Sequence, residues 1–469
     1  MRRLTRRFRE RLPLRLARGL VVGAGLVTLA PTAALADRWM PPHEDAVPRF
    51  YIEEIAVEGA RKASTDIIVS ETLLDPGLPY SETELREAVF RVNRLPFVLE
   101  ADFALRKGSE RGRYRLLITV REARNLFFGT DWTYNNFGGP LVNSSPLGDE
   151  FSASLTAGVR YFASDGVFFA ALGGNENLQI GYTRYKLFNR PMLLRVAYAH
   201  EECCPVELLE PGLDPAIATW TATGAAERLE VSLGVPLGGN HSLRFDASRV
   251  ETRSMDRRLL RRDNDLITGL EDVEQEEIEV AWVYDTTDDP VFPDSGDAVT
   301  ASVSLRQLEG DLSTILRLGP VATFLATPSA QVSSRLVGLD AHGTRHWPLS
   351  PRQTVSLSLE VLLSRSDVDN LPVELEDGTI RLVSDTVDAV EAEIGLRHSV
   401  RLRGPRPGKR SGEVRWETLA NLVYLETSSA FNALDQPLWG LSASTGIALR
   451  NSWGIFRFGI AYLDFDGDL

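Results

Sequence analysis

The stretch Ile278-Glu279-Val280-Ala281-Trp282-Val283-Tyr284-Asp285-Thr286-Thr287-Asp288-Asp289-Pro290-Val291-Phe292-Pro293-Asp294-Ser295-Gly296, running on to Val299-Thr300-Ala301-Ser302-Val303-Ser304-Leu305, decides the fold. Before its middle, Ile278, Val280, Trp282 and Tyr284 occupy every second position. After it, Val299, Ala301, Val303 and Leu305 do the same. Period two sends side chains alternately to the two faces of a strand. The segment between is a turn. Its two prolines fix φ, its carboxylates can accept hydrogen bonds from loop amides, and Gly296 allows a positive φ. Its acids and hydroxyls would suit calcium by oxygen count, but their spacing is not that of an EF-hand loop, and an ordinary acidic turn explains them.

The same alternation recurs through residues 126–469, which contain no convincing long helix. It is clear at Leu178–Tyr182, Leu194–Tyr198, Leu243–Ala247, Val355–Leu363 and Phe456–Tyr462. A soluble sandwich also alternates, so the pattern alone does not choose. The strands run to about 10 residues or more, the length that crosses a bilayer at a tilt. Short connections at 189–191, 238–241 and 350–353 alternate with polar stretches at 201–217, 254–274 and 366–386, expected as long loops. Short turns on one side and long loops on the other characterise membrane barrels. Apart from one N-terminal stretch, no run approaches 18 apolar residues, which excludes a helical membrane bundle.

That stretch reads as an export signal. Residues 1–18 carry eight arginines against Glu10 alone, an apolar run follows from Gly19, and Ala34-Leu35-Ala36 closes it. The order is that of a secretory signal peptide over 1–36, with cleavage after Ala36 and a linker at 37–49. The whole chain has 51 basic and 65 acidic residues, a net charge of −14. Removing the signal makes it more acidic still, which argues against nucleic acid as a partner. Two cysteines in 469 residues exclude a disulfide-built scaffold.

Residues 50–123 read β-α-α-β-β. Ile55 and Val57 precede a turn at Gly59. Ser64 and Thr65 are placed to cap a short helix carrying Ile67 and Ile68. Ser81-Glu82-Thr83-Glu84 is a capping box. It opens a helix whose Leu85, Ala88, Val89, Val92 and Leu95 form one apolar stripe. A strand at Phe97–Arg106, a turn at Gly108–Gly112 and an alternating strand through Tyr114–Val120 complete a small α+β domain, with three strands expected on two helices.

This segment resembles a POTRA domain, in its element order, in Gly59, in Gly77-x-Pro79-x-Ser81 and in Leu95-Pro96-Phe97. The turn ending Phe292-Pro293-x-x-Gly296, with Phe128–Tyr134, Tyr185–Phe188 and Leu441–Leu449, resembles barrels of the BamA/TamA-type bacterial surface antigen superfamily. The resemblance implies a single POTRA domain (50–123) followed by an all-β antiparallel outer-membrane barrel (126–469) of about 14–16 strands. It places the barrel in the bacterial outer membrane with the POTRA domain in the periplasm. Two departures stand out. Val-Arg-Gly-Phe/Tyr, the family's lumen-loop motif, is reduced to Ile380-Arg381-Leu382. The matching acidic strand reads Val423-Tyr424-Leu425-Glu426-Thr427. If a lumen lock survives, Arg381 and Glu426 are its candidates. By family analogy the fifteenth strand falls at 454–465, close to the last residue.

No nucleophile elbow, P-loop, Rossmann fingerprint or zinc-protease motif occurs, so no catalysis and no cofactor are expected. Cys203-Cys204, in an expected surface loop, reads as a vicinal pair without chemistry. The implied function is insertion or export of periplasmic client polypeptides. The alternative is a passive pore or structural surface barrel whose POTRA domain docks a periplasmic partner. Either way, lipid of the outer membrane surrounds the barrel. The expected docking element is the edge strand Phe97, Val98, Leu99, Glu100, Ala101, Asp102, Phe103, Ala104 and Leu105, by strand addition. Proline at Glu100 or Asp102 is expected to block it.

Overall fold

The computed structural model of the chain describes residues 48–137, 150–163, 165–173, 178–188, 190–203, 219–260, 266–318, 323–326, 330–374, 380–404, 412–428, 438–451 and 453–466. The expected signal peptide, and the linker up to residue 47, lie outside the described residues.

The first elements are β1 (Arg49–Glu58), α1 (Thr65–Glu71), β2 (Leu78–Ser81), α2 (Glu82–Asn93), β3 (Val98–Lys107) and β4 (Arg113–Glu122). The capping box forms as the sequence dictates: the Ser81 hydroxyl accepts from the Glu84 N–H at 3.3 Å, and the Ser81 N–H donates to the Glu84 carboxylate at 2.6 Å. The α2 stripe Leu85, Ala88, Val89 and Val92, with Leu95 beyond it, is buried against Ile52, Ile67, Ile68, Leu116 and Ile118. Each of these leucine, isoleucine and valine side chains contributes about 1.5–3 kcal/mol.

Two expectations need correction here. The sheet has four strands, in the order β2-β1-β4-β3, with β1 parallel to β4. β2 is four residues long, too short for its alternation to register in the sequence. Ser64 is the N-cap of α1, but its side chain makes no capping hydrogen bond. The loop before α1 is held instead by Glu122, whose Oε1 accepts from the N–H groups of Arg61, Lys62 and Ala63 at 2.8, 2.7 and 2.8 Å. Gly59, at φ +91°, has room for no side chain, since a Cβ would lie 2.1 Å from the Val120 carbonyl oxygen.

The rest of the chain is sheet. Its strands are β5 (Leu126–Phe137), β6 (Glu150–Phe162), β7 (Gly166–Gly173), β8 (Leu178–Arg184), β9 (Leu193–Cys203), β10 (Thr219–Gly238), β11 (His241–Leu260) and β12 (Leu266–Asp285). There follow β13 (Gly296–Leu318), the short β14 (Thr323–Ala326), β15 (Ala330–Ser350), β16 (Gln353–Glu374), β17 (Ile380–Arg403), β18 (Glu413–Ser428), β19 (Leu438–Arg450) and β20 (Ile455–Asp466). β14 pairs only with β13; the other fifteen close into a barrel. Neighbours in the ring are antiparallel with one exception. β20 joins β5 in parallel, from Phe456 opposite Thr130 to Leu463 opposite Phe137. An up-and-down ring with an odd number of strands must contain one such pair, so the barrel is not antiparallel throughout.

The alternation resolves into an apolar exterior and a polar interior. Ile278, Val280, Val303 and Leu305 are exposed on the outside, while Glu277, Glu279, Ser302 and Ser304 point inward. Such an exterior is stable only against hydrocarbon, and closure leaves no unpaired edge there. On β18 the outward face is bounded by Trp416 and, eight residues on, Tyr424, which meets Trp439 of β19 edge-on at 4.8 Å. At about 3.3 Å per residue and a tilt near 45°, these rings mark off a band of roughly 20 Å, close to the apolar belt of a membrane barrel.

The polar stretches 254–274 and 366–386 are not the expected loops. Outside 261–265 and 375–379 they continue the strands, giving β11, β12, β16 and β17 lengths of 20, 20, 22 and 24 residues. Polar residues that pair with polar neighbours beyond the apolar band keep the ladder intact, so polarity alone does not mark a loop. Cys203 ends β9 and stands opposite Gly224; Cys204 lies outside the described residues.

Candidate functional site

The short turns gather at one end of the barrel, where the small domain docks. Arg91 of α2 is buried. It donates to the carbonyls of Glu71 and Thr72 within the domain and to that of Gly239, in the β10–β11 turn, at 2.8 Å. Arg94 donates to the carbonyls of Asp285 and Thr287 and pairs with the Asp285 carboxylate at 3.0 Å. Phe97, fully buried, packs against Tyr161 and Tyr185, and the Tyr161 hydroxyl donates to the carbonyls of Phe97 and Ala123. Contacts therefore reach four successive turns, those after β6, β8, β10 and β12.

These contacts redistribute the expected docking strand. Phe97 and its carbonyl are occupied by the barrel itself. β3 is an edge of the sheet, but Asn93 caps part of it, accepting from the Ala101 N–H at 2.6 Å and donating to the Ala101 carbonyl at 3.2 Å. The Asp102 side chain accepts from the Phe103 N–H. Since Ala101 turns its amide away from β4, so do Phe103 and Leu105, while Glu100, Asp102 and Ala104 turn theirs toward it. Proline at Glu100 or Asp102 would break the β3–β4 ladder rather than the free edge. Of the expected residues, Val98 and Ala101 are buried with Phe97, Leu99, Phe103 and Leu105 are partly so, and the open edge amides begin at Leu105.

The expected lumen pair is not brought together. Arg381 stands opposite Val373, near the start of β17, and Glu426 opposite Val390, nine residues farther along the same strand. Glu426 shares the outward parity of Trp416 and Leu422 and accepts from the Tyr424 hydroxyl at 2.5 Å.

A different cluster occupies the lumen at the turn end. The 286–295 turn folds inward. Asp288 and Asp289 accept from its own amides, and Gly296 at φ +107° makes the exit, where a Cβ would meet the Thr286 carbonyl at 2.5 Å. From there the turn bonds to inward-facing residues of the adjoining wall, from β16 round to β19. Asp289 binds Arg450 at 2.7 Å, Asp294 binds Arg415 at 2.9 Å and Thr354 at 2.8 Å, and Asp294 also binds Arg401. Glu413 joins the three arginines, at 3.0 Å to Arg401, 2.7 Å to Arg415 and 2.7 Å to Arg450. Phe292 lies between the guanidinium groups of Arg415 and Arg450, 5.1 and 5.0 Å from its ring centre. Burial works against the Asp294 carboxylate, yet Arg415, Thr354 and Arg401 together hold its pKa below the ordinary value. Phe292 and Glu413 are the only barrel residues among the largest fully buried side chains of the described residues.

Sequence reasoning identified the turn but not its partners. The usable signal was three arginines, Arg401, Arg415 and Arg450, each within two residues of a strand end in an acidic protein. Higher in the lumen, a cavity of about 490 Å³ is flanked by Arg195 and Arg228 on one side and by Arg244, bonded to Asp246 and Glu279, on the other.

No family model matches the chain, and no curated protein matches it in sequence. Solved structures similar to it include BamA from Haemophilus ducreyi lacking POTRA domains 1–3, with a TM-score of 0.41 at 12% identity over 91% of this chain and 82% of that one. CdiB from Escherichia coli gives a TM-score of 0.38 at 11% identity over 95% and 98%, and CdiB from Acinetobacter baumannii 0.38 at 9% over 88% and 74%. Likeness at this level assigns neither family nor activity to the chain.

Proposed function

We propose that the chain is an outer-membrane barrel of the assembly and translocation type. Its small domain acts as a periplasmic POTRA-like module that receives an extended polypeptide, without catalysis. The observation that carries the reading is the position of β3, an edge strand on a domain fixed to the turn end of the barrel. Backbone hydrogen bonding along a sheet edge recognises extended chains irrespective of sequence. The receptive segment is Leu105–Lys107, because Asn93 and Asp102 already bond to the edge-facing groups of Ala101 and Phe103.

Photo-crosslinkers at Ala104 and Arg106, whose side chains are exposed, are expected to capture a periplasmic polypeptide in cells. Leu105→Pro removes an edge amide without touching the β3–β4 ladder and should reduce capture at least fivefold with the barrel still folded. Capture unchanged in Leu105→Pro would exclude strand addition. A second reading, a structural or pore-forming barrel whose small domain only docks a partner, is favoured by the separation of Arg381 from Glu426. It would be supported by crosslinks to one folded partner rather than to extended clients.

A further inference from the structure

We propose that the 286–295 turn is a gate across the mouth of the lumen, latched by Arg401, Arg415 and Arg450 and tethered to the small domain by Arg94. The proposal concerns passage through the barrel and stands whether or not β3 binds a client. The turn leaves the wall at β12 and returns at β13, yet Asp289 bonds to Arg450 at the end of β19. In the ring order, β13 is followed by β15, β16, β17, β18 and β19. Five inter-strand steps of about 4.8 Å separate the turn's own root from its farthest partner along the wall. Held by inward-facing residues of β16, β17, β18 and β19 in turn, the connection covers the part of the mouth that those strands bound.

The latch is complete in itself. Three carboxylates (Asp289, Asp294, Glu413) meet three guanidinium groups, and Phe292 fills the space between two of them. No further ligand is needed to neutralise it, so the cluster serves to hold the turn. Asp289 and Asp294 belong to the moving part, while Glu413 and the arginines belong to the wall; releasing the turn separates the two sets. At the root, Arg94 of α2 grips Asp285 and Thr287. A shift of α2 therefore pulls on the turn, and the position of the small domain is coupled to the opening.

The test is single-channel conductance of the purified full chain in planar lipid bilayers. The double variant Asp289→Asn, Asp294→Asn should raise unitary conductance at least threefold over the parent, and Arg94→Gln should raise open probability to a smaller extent. A second construction works in the opposite sense. Asp294→Cys with Thr354→Cys, in a Cys203→Ser, Cys204→Ser background, ties the turn to the wall when oxidised. Conductance should be at the parent level while oxidised and rise on reduction. Equal conductance in the parent and the Asp289/Asp294 variant would overturn the gate. If that variant does not fold, an unchanged conductance on reducing the cysteine pair overturns it instead.

Discussion

Replacing Glu413 by alanine is expected to destabilise the barrel by about 3–5 kcal/mol, the range for breaking a buried ion cluster on one side. Glu413 is 1% exposed and accepts from Arg401, Arg415 and Arg450. Without it, the three guanidinium groups confront one another with only Asp289 and Asp294 left to neutralise them. The loss comes from stranded charge, not from a missing attraction alone. It follows that removing charge from both sides should be milder: Glu413→Leu combined with Arg415→Met should recover part of the loss. The measurement is the temperature at which the barrel loses its compact mobility in detergent gels, together with the urea midpoint. A midpoint unchanged in Glu413→Ala would mean that the cluster contributes nothing to holding β17, β18 and β19 together.

The second large effect is a gain. Burial pushes the Glu71 carboxyl up from 4.5 to about 7, against the opposing pull of Arg91 and Arg94. The folded domain therefore binds this proton more tightly than the unfolded chain does. Below pH 4.5 the residue is protonated in both states and costs nothing. Between about pH 4.5 and 7 the unfolded chain ionises while the folded domain keeps the proton, so stability falls across that window and levels off once the folded carboxyl is ionised too. At about 1.4 kcal/mol per pKa unit, discounted because the side chain is partly exposed, the penalty above pH 8 is about 2 kcal/mol. Glu71→Gln should thus slow hydrogen exchange of the α1 and α2 amides at pH 8 in the full chain and leave it unaltered near pH 4. Equal protection at both pH values would show that Glu71 does not titrate with folding.

The barrel was legible because lipid on one side and a polar lumen on the other enforce period two at every crossing, as at Ile278–Tyr284 and Val355–Leu363. The small domain was legible where local chemistry decides structure: the Ser81–Glu84 box, the Leu85–Leu95 stripe and the turn at Gly59; in the barrel the positive φ of Gly296 was legible in the same way. What escaped depends on partners distant in sequence. β2 exists because β1 lies beside it. Residues 254–274 and 366–386 are strands because their polar neighbours pair with them, which composition does not reveal. The Arg94, Asp289, Glu413 and Arg450 contacts join segments that only barrel closure brings to one end. The Arg381–Glu426 expectation failed for the same reason: with 366–386 mostly drawn into the walls, Arg381 lies far along β17 from the residue facing Glu426.

The parallel junction of β5 and β20 also constrains how the molecule can form. Every other pair in the ring joins strands close in sequence, with only the short β14 intervening between β13 and β15, so each can zip with little chain to organise. Thr130 and Phe456 are more than three hundred residues apart, and no turn connects them. Closing a loop of that length costs about 5 kcal/mol of chain entropy. That cost falls on the one contact that cannot nucleate locally, and its slanted bonds are slightly less stable per residue. Closure is then expected to be the final event of folding. Until it occurs the chain is an open curved sheet with two long unpaired edges, and the last crossing completes them both at once.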